Sequence, residues 1–263
     1  MSGDKLSYAQ KTCVTRAGKV MQDLSMVAPG ARVGVAVSGG VDSFTLLEVL
    51  RRRQRIVPFH FELMAIHLNP GFEPQSHAPL NEYLARTGIP GHVEITDFGP
   101  RSHSDENRRR SPCFLCAMLR RTRLFEICRQ YQLTHLAFGH NADDLVTTFF
   151  MNLVQNGRVD GLMARDIFFG GQLTVIRPLI TVEKSVIIKA AAQWELPWWK
   201  NACPSAGKTN RTEFEQKIAG LHGGDKVKRT NLYHALEKWQ LQWTTPRKPV
   251  DASAEGDEEK SVG

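Results

Sequence analysis

Apolar side chains recur with helical spacing over residues 8–27, where Val14, Ala17, Val20, Met21 and Leu24 share one face of a predicted leading helix. The period then changes. Residues 32–37 form a short β-branched run, predicted as a buried strand, that passes straight into Ser38-Gly39-Gly40. From Ser43 the helical period returns, with Leu46, Leu47 and Leu50 on one side. A second apolar run at 61–68 ends in the punctuation Asn69-Pro70-Gly71. Beyond it the pattern predicts a helix near 77–87, a strand near 91–96 and a long polar, basic loop at 97–112. A helix at 114–131, a strand at 134–138 and a helix at 141–155 follow. After a glycine-containing connection come a strand at 174–176 and a helix at 182–194, and 197–245 reads as helical and less regular. There is no internal repeat. This strand–helix alternation predicts an α/β fold, a parallel twisted sheet of about five strands with helices on both faces, plus a small helical C-terminal region. The expected organisation is an N-terminal helix over 1–28, the sheet domain over 29–195, a helical region over 196–245 carrying a late cysteine, and an acidic tail over 246–263. That tail, rich in Ser, Gly and acid, is expected to be disordered.

Composition adds a class. The chain has 41% hydrophobic and 23% charged residues, ordinary for a globular protein and unlike a fibre. No apolar run approaches the roughly 20 residues that span a bilayer, and the first residues lack a signal-peptide core. The expectation is a cytosolic protein with no membrane partner. Its five cysteines then read as metal ligands, reactive thiols or buried fillers rather than disulfides. Charge is unevenly spread. The stretch 251–263 holds five acids against Lys260, and the whole chain is +7, so residues 1–250 carry +11. Arginines cluster at 51–55, at 108–110 and at Arg120, Arg121 and Arg123. Such clusters suit a polyanion, because neutralised phosphates release condensed counterions. A solvated basic face accounts for the same charges equally well.

The strand-to-helix junction Val37-Ser38-Gly39-Gly40-Val41-Asp42-Ser43 carries the clearest chemistry. In open α/β sheets, ligands sit beyond the carboxyl ends of strands, where loops enter helix N-termini. Two glycines allow a sharp turn and close approach to a ligand. Successive N–H groups can converge on phosphate oxygens, helped by the helix dipole. Ser38 and Ser43 offer hydroxyls, and Asp42 beside a polyphosphate suits a magnesium ion or an ammonium-like group. A plain Gly-Gly turn with Asp42 and Ser43 as helix caps is the bland reading. Elsewhere, Ala206-Gly207-Lys208-Thr209 mimics the end of a Walker A loop, but Ala202 stands where its first glycine belongs and no strand precedes it.

Cys113 and Cys116 form Cys-x-x-Cys at the start of a predicted helix, a place that lowers thiol pKa values. Cys203 lies far off in Asn201-Ala202-Cys203-Pro204. Three thiolates could hold a four-iron cluster with one iron left open, or a zinc ion with a different fourth ligand, and a Cys-x-x-Cys alone also serves redox dithiols. Cys13 and Cys128 read as core fillers.

These strings together resemble the PP-loop ATP pyrophosphatases and, within them, the tRNA 2-thiocytidine synthetase family. The matching pieces are Ser38 to Ser43, Pro70-Gly71-Phe72, Cys113-x-x-Cys116 with Leu119-Arg120-Arg121, Gly139-His140-Asn141-Ala142-Asp143-Asp144, Ile176-Arg177-Pro178-Leu179 and Cys203. Position 41 is valine where the family often has lysine, and Asn141-Ala142 replaces a more basic pair. The resemblance implies the adenine nucleotide alpha hydrolase-like fold. It places ATP against Val37, Ser38, Gly39, Gly40, Val41, Asp42, Ser43, His67 and Gly139, with magnesium on Asp42. It implies a [4Fe-4S] cluster on Cys113, Cys116 and Cys203, and catalytic roles for those cysteines, Asp42, Asp144 and Arg120. The implied reaction adenylates the C2 oxygen of a tRNA cytidine and replaces it with sulfur. The implied partners are tRNA, a sulfur donor such as a cysteine desulfurase or sulfide, and a second copy of the chain in a homodimer. Rival readings are the same chemistry on a uridine or a small molecule, an amide-forming synthetase of the same fold, and a non-catalytic RNA-binding module.

Overall fold

The computed structural model of the protein describes residues 5–105, 107, 110–200, 202–207 and 210–244. Arg108, Arg109 and the acidic tail at 246–263 lie outside the described residues. Helix α1 (Tyr8–Asp23) opens with a capping box in which Ser7 and Gln10 satisfy each other's backbone groups. There follow β1 (Arg32–Ala36), α2 (Val41–Arg53), β2 (Glu62–Asn69), α3 (Ala78–Thr87), β3 (Gly91–Ile95), α4 (Phe98–Ser102) and α5 (Pro112–Gln130). The chain continues through β4 (His135–Ala137), α6 (Ala142–Asn156), β5 (Arg165–Phe168), β6 (Leu173–Ile176), α7 (Lys184–Gln193), α8 (Asn210–His222) and α9 (Lys226–Thr244).

The strands form one sheet in the order β3-β2-β1-β4-β6-β5. The five strands expected from sequence pair in parallel. A sixth, β5, pairs antiparallel with β6 at the edge. Its four residues, Arg-Asp-Ile-Phe, are too few to establish a period, so the ladder to β6 rather than the sequence pattern makes them a strand. The polar loop at 97–112 also holds more structure than expected, for α4 forms within it and buries Ser102.

Alternation along each strand assigns the two faces. Val33, Val35 and Val37 of the first strand region, with Leu63 and Ala65 of β2, join the core built with α1, α2, α3 and α7. Ile66, Leu68, Leu136 and Val175 turn to the other face and pack beneath α5, with Leu124, Ile127 and Cys128. Gly34 is needed on that side, because a Cβ there would come within 2.7 Å of Leu133 and 2.9 Å of Ile66. A smaller cluster of Val146, Ile218 and Leu236 ties α6 to α8 and α9. No helix among the described residues is long and apolar enough to cross a membrane.

One charge is sunk in the first core. Glu48 on α2 is buried, yet Arg51 bonds both its oxygens at 2.8 and 2.9 Å and the Tyr83 hydroxyl donates to it at 2.8 Å. Burial opposes its ionisation, but these partners win and hold its carboxyl below the usual range. A buried carboxylate that loses a donor keeps the full desolvation cost. Tyr83→Phe is therefore expected to destabilise the fold by about 1.5–3 kcal/mol in urea unfolding; a change near zero would mean that Arg51 and Arg52, which also bonds Glu48, satisfy it alone.

Candidate active site

The chain runs outward from β1 to β2 and β3, then crosses back to place β4 on the other side of β1. The carboxyl ends of β1 and β4 therefore diverge into loops at the point where strand order reverses, the crevice where open α/β sheets bind ligands. After β1, the loop from Ser38 to Ser43 is knitted by its own serines. The Ser38 N–H donates to Ser43 Oγ at 3.1 Å, and Ser43 Oγ donates to the Gly40 carbonyl at 2.8 Å. Gly39 has φ +89°, open to glycine at no steric cost, and Trp199 covers it so closely that a Cβ would sit 2.4 Å from the indole. The backbone N–H of Trp199 also donates to the Gly39 carbonyl at 2.9 Å. Val41 opens α2 and is buried.

His67, near the end of β2, is buried and bonds through Nδ1 to the Val37 carbonyl at 2.7 Å. Burial pushes its pKa down to about 4, so the ring is neutral at pH 7 with its proton on Nδ1. Its Nε2 is buried and has no hydrogen-bond partner among the described residues.

Where β4 ends, Gly139 leans on the loop. A Cβ at this position would lie 3.0 Å from the Asp42 carbonyl and the Ser43 nitrogen. Asn141 then caps α6, accepting from the Asp143 N–H at 2.9 Å and the Asp144 N–H at 3.2 Å. In return Asp144 accepts the Asn141 N–H at 2.8 Å. The free end of the Asn141 amide donates to Asp42 at 3.1 Å, joining the starts of α2 and α6. Each carboxylate has a cation: Lys184 Nζ bonds Asp42, and Arg211 of α8 bonds Asp144. Burial nonetheless raises the pKa of both, and each feels another carboxylate, Asp144 acting on Asp42 and Asp143 on Asp144. Asp143 is turned away from the loop, taking the Lys184 N–H at 2.7 Å and the Tyr233 hydroxyl at 2.8 Å.

Ser38, Asp42, Ser43, Gly139 and Asp144 line one cleft of about 790 Å³. Its other walls are cationic and aromatic, with Arg120 and Arg121 from α5, Arg177 after β6, and the rings of Phe125, Phe138 and Phe168. His140 also faces it, its pKa pushed down to about 3 by burial and by Arg177, Arg211 and Arg121.

The same helix that brings Arg120 to the cleft carries two thiols in its first turn. Ser111 caps α5, Cys113 is exposed and Cys116 is half-buried. Cys116 bonds Ser102 of α4 and lies within electrostatic reach of Arg120, Cys203 and Cys113. Burial raises its pKa, Arg120 draws it down, and the two other thiols raise it. Cys203 is held near by its own loop, because Ser205 bonds His103 at 2.8 Å and His103 in turn bonds the Gly99 carbonyl at 2.9 Å. Among the described residues, no three His, Cys, Asp or Glu side chains form a metal-holding group, so the thiols are neighbours without being closed into one. Cys13 and Cys128 are buried, and burial raises both pKa values to about 12, as suits core fillers.

Residues 10–219 match the family model of the PP-loop domain. The tRNA-cytidine(32) 2-sulfurtransferase of Bordetella pertussis is 33% identical over 240 residues, 90% of this chain and 73% of the relative. That of Geobacter sulfurreducens is 30% identical over 242 residues, 91% of this chain and 93% of the relative. This chain belongs to the tRNA-cytidine(32) 2-sulfurtransferase family of PP-loop proteins. Its fold is that of the U34-tRNA thiolase NcsA from Methanococcus maripaludis, solved with its [4Fe-4S] cluster. The two agree with a TM-score of 0.70 at 22% identity, over 92% of this chain and 86% of the other.

For this member of the family, the structure brings the expected Ser38, Asp42, Ser43, Gly139, Asp144 and Arg120 to one cleft, with Cys113 and Cys116 earlier on the helix of Arg120 and Cys203 within electrostatic reach of Cys116. His67 reaches the loop from behind, through Val37. Asn141 stands in the sequence only as part of the string Gly139–Asp144, without a role, and Lys184 and Arg211 do not stand out at all. Asn141 had a local signal, an N-cap residue three positions before a carboxylate. Lys184 and Arg211 had none, because their partners lie 142 and 67 residues away. Gly139 supplies a direct test of the geometry. Gly139→Ala crowds the backbone of Asp42 and Ser43 and is expected to weaken ATP binding about tenfold, ~1.4 kcal/mol in calorimetric titration; unchanged affinity would show that the close approach is not required.

Proposed function

We propose that this chain is an ATP-dependent tRNA sulfurtransferase that adenylates the C2 oxygen of a cytidine and exchanges it for sulfur. The observation that carries this reading is the meeting of the Ser38–Ser43 loop with Asp144 and Arg120 in one cleft whose helix also bears Cys113 and Cys116. The relatives' names supply the nucleoside and the tRNA.

A pyrimidine carbonyl resists substitution because its oxygen leaves poorly. Attack of that oxygen on the α-phosphorus of ATP breaks the bond to the β-phosphate and sends its electron pair to pyrophosphate. The base now carries AMP on C2. A sulfur nucleophile adds at that carbon, AMP departs with the oxygen, and the C2–S bond replaces C2–O. The loop amides and the dipole of α2 hold the polyphosphate, while Arg120 and Arg121 stabilise the charge that develops on phosphate oxygens. Asp42 would hold the magnesium that accompanies ATP, and burial that disfavours its bare charge is what a cation relieves.

The thiol corner fits a cluster by its donor chemistry. Three soft thiols come from two segments, with a serine and an arginine beside Cys116. Cys113, Cys116 and Cys203 would hold a [4Fe-4S] cluster, which supplies an iron free of protein ligands as a seat for sulfur.

Mass spectrometry of tRNA nucleosides from cells with and without the gene tests the reaction. Loss of 2-thiocytidine is expected on deletion; its persistence alongside loss of a 2-thiouridine would transfer the chemistry to uridine. Two variants separate the halves of the site. Cys203→Ser is expected to abolish thiolation and the brown colour of anaerobically purified protein, with ATP affinity retained. Asp42→Ala should lower AMP formation by on the order of a hundredfold and leave iron and acid-labile sulfide content unchanged. A colourless wild-type protein holding one zinc would overturn the cluster assignment.

A further inference from the structure

The seven residues from Val37 to Ser43 contain no lysine, arginine or histidine. The amides they offer, with a helix N-terminus worth roughly half an elementary charge, fall well short of neutralising a triphosphate. A whole positive charge must come from outside the loop, and the structure places one against it. Lys184 Nζ bonds Asp42 Oδ2, inside the loop itself. The lysine's backbone is fixed separately, its N–H donating to Asp143 at 2.7 Å, so its Cα is anchored to the segment that also presents Asp144. Its side chain is 37% exposed, Asp42 is its one hydrogen-bond partner among the described contacts, and its charge also reaches Asp144, a second carboxylate of the cleft.

Its position runs against helix electrostatics. Lys184 is the first residue of α7, where the partial charge of unpaired N–H groups is positive and a cation is unfavourable. A residue that breaks a local rule without a local gain points to a use elsewhere.

We propose that Lys184 is a polyphosphate-binding cation of this site, delivered from α7 to a loop that has none and acting beside Arg120 and Arg121. This inference rests on the reading of the cleft as an ATP site. In the free protein the ammonium rests on Asp42. When ATP binds, its flexible four-carbon stem lets Nζ move to the polyphosphate oxygens, and it remains with pyrophosphate as the bond between the α-phosphorus and the bridging oxygen breaks.

Calorimetric titration of the full chain with ATP and magnesium chloride, and separately with AMP, tests this. Lys184→Met is expected to weaken ATP binding at least tenfold and AMP binding less than twofold, while Lys184→Arg retains most of the ATP affinity. Should the Met variant not fold, Lys184→Gln, which can still donate to Asp42, replaces it with the same expectation. Equal losses for ATP and AMP would show that Lys184 merely supports the loop, and unchanged ATP affinity would show that it does not touch phosphate; either overturns the inference. A wild-type chain that binds no ATP overturns the proposed function and this inference together, which separates that failure from the other two. As a further arm, Val41→Lys in the Lys184→Met background puts a lysine in the loop itself and is expected to restore ATP affinity at least partly.

Discussion

Two half-buried carboxylates at the junction of two strand ends govern the site. Asp42 and Asp144 stand at the starts of α2 and α6, where helix N-termini favour negative charge, yet burial raises the pKa of each. The surroundings answer that cost piece by piece. Asn141 spans the two helices, bonding Asp42 with its amide and exchanging a capping box with Asp144. Lys184 arrives from α7 and Arg211 from α8. The site is thus set for cationic partners, and the C-terminal helices contribute to it electrostatically as well as by packing.

That arrangement depends on how closely two loops can approach. Gly139 allows β4 to end against the backbone of Asp42 and Ser43, and Gly39 allows Trp199 to close over the turn. Trp199 is itself braced edge-on by Phe44 and His67. The loop is therefore held from three sides before any ligand arrives, which lowers the ordering cost on binding.

The thiol corner is built by the same economy of parts. One helix, α5, buries Leu124 and Ile127 in the core, lines the cleft with Arg120, and carries the exposed Cys113 and the half-buried Cys116 near its start. Cys203 comes from the region after α7, and the contact of His103 with Ser205 holds that segment to α4. The cleft and the thiol corner are therefore linked through a single helix.

Much of this was legible along the chain. The β-branched run before Ser38, the helical period after Ser43 and the repeated alternation determined five parallel strands and the helices between them, because burial on both faces demands those periods. The loop string, the cysteine spacing and Gly139 to Asp144 were legible because each is contiguous, with its geometry set by local backbone chemistry. β5 was not, since four residues at an edge owe their conformation to hydrogen bonds with β6. Nor were Lys184 and Arg211, whose significance lies in the carboxylates they meet across the fold. Local pattern determined which residues could carry the chemistry. Only the tertiary structure decided which charges face one another, because pairing across more than sixty residues is set by packing and leaves no period in the sequence.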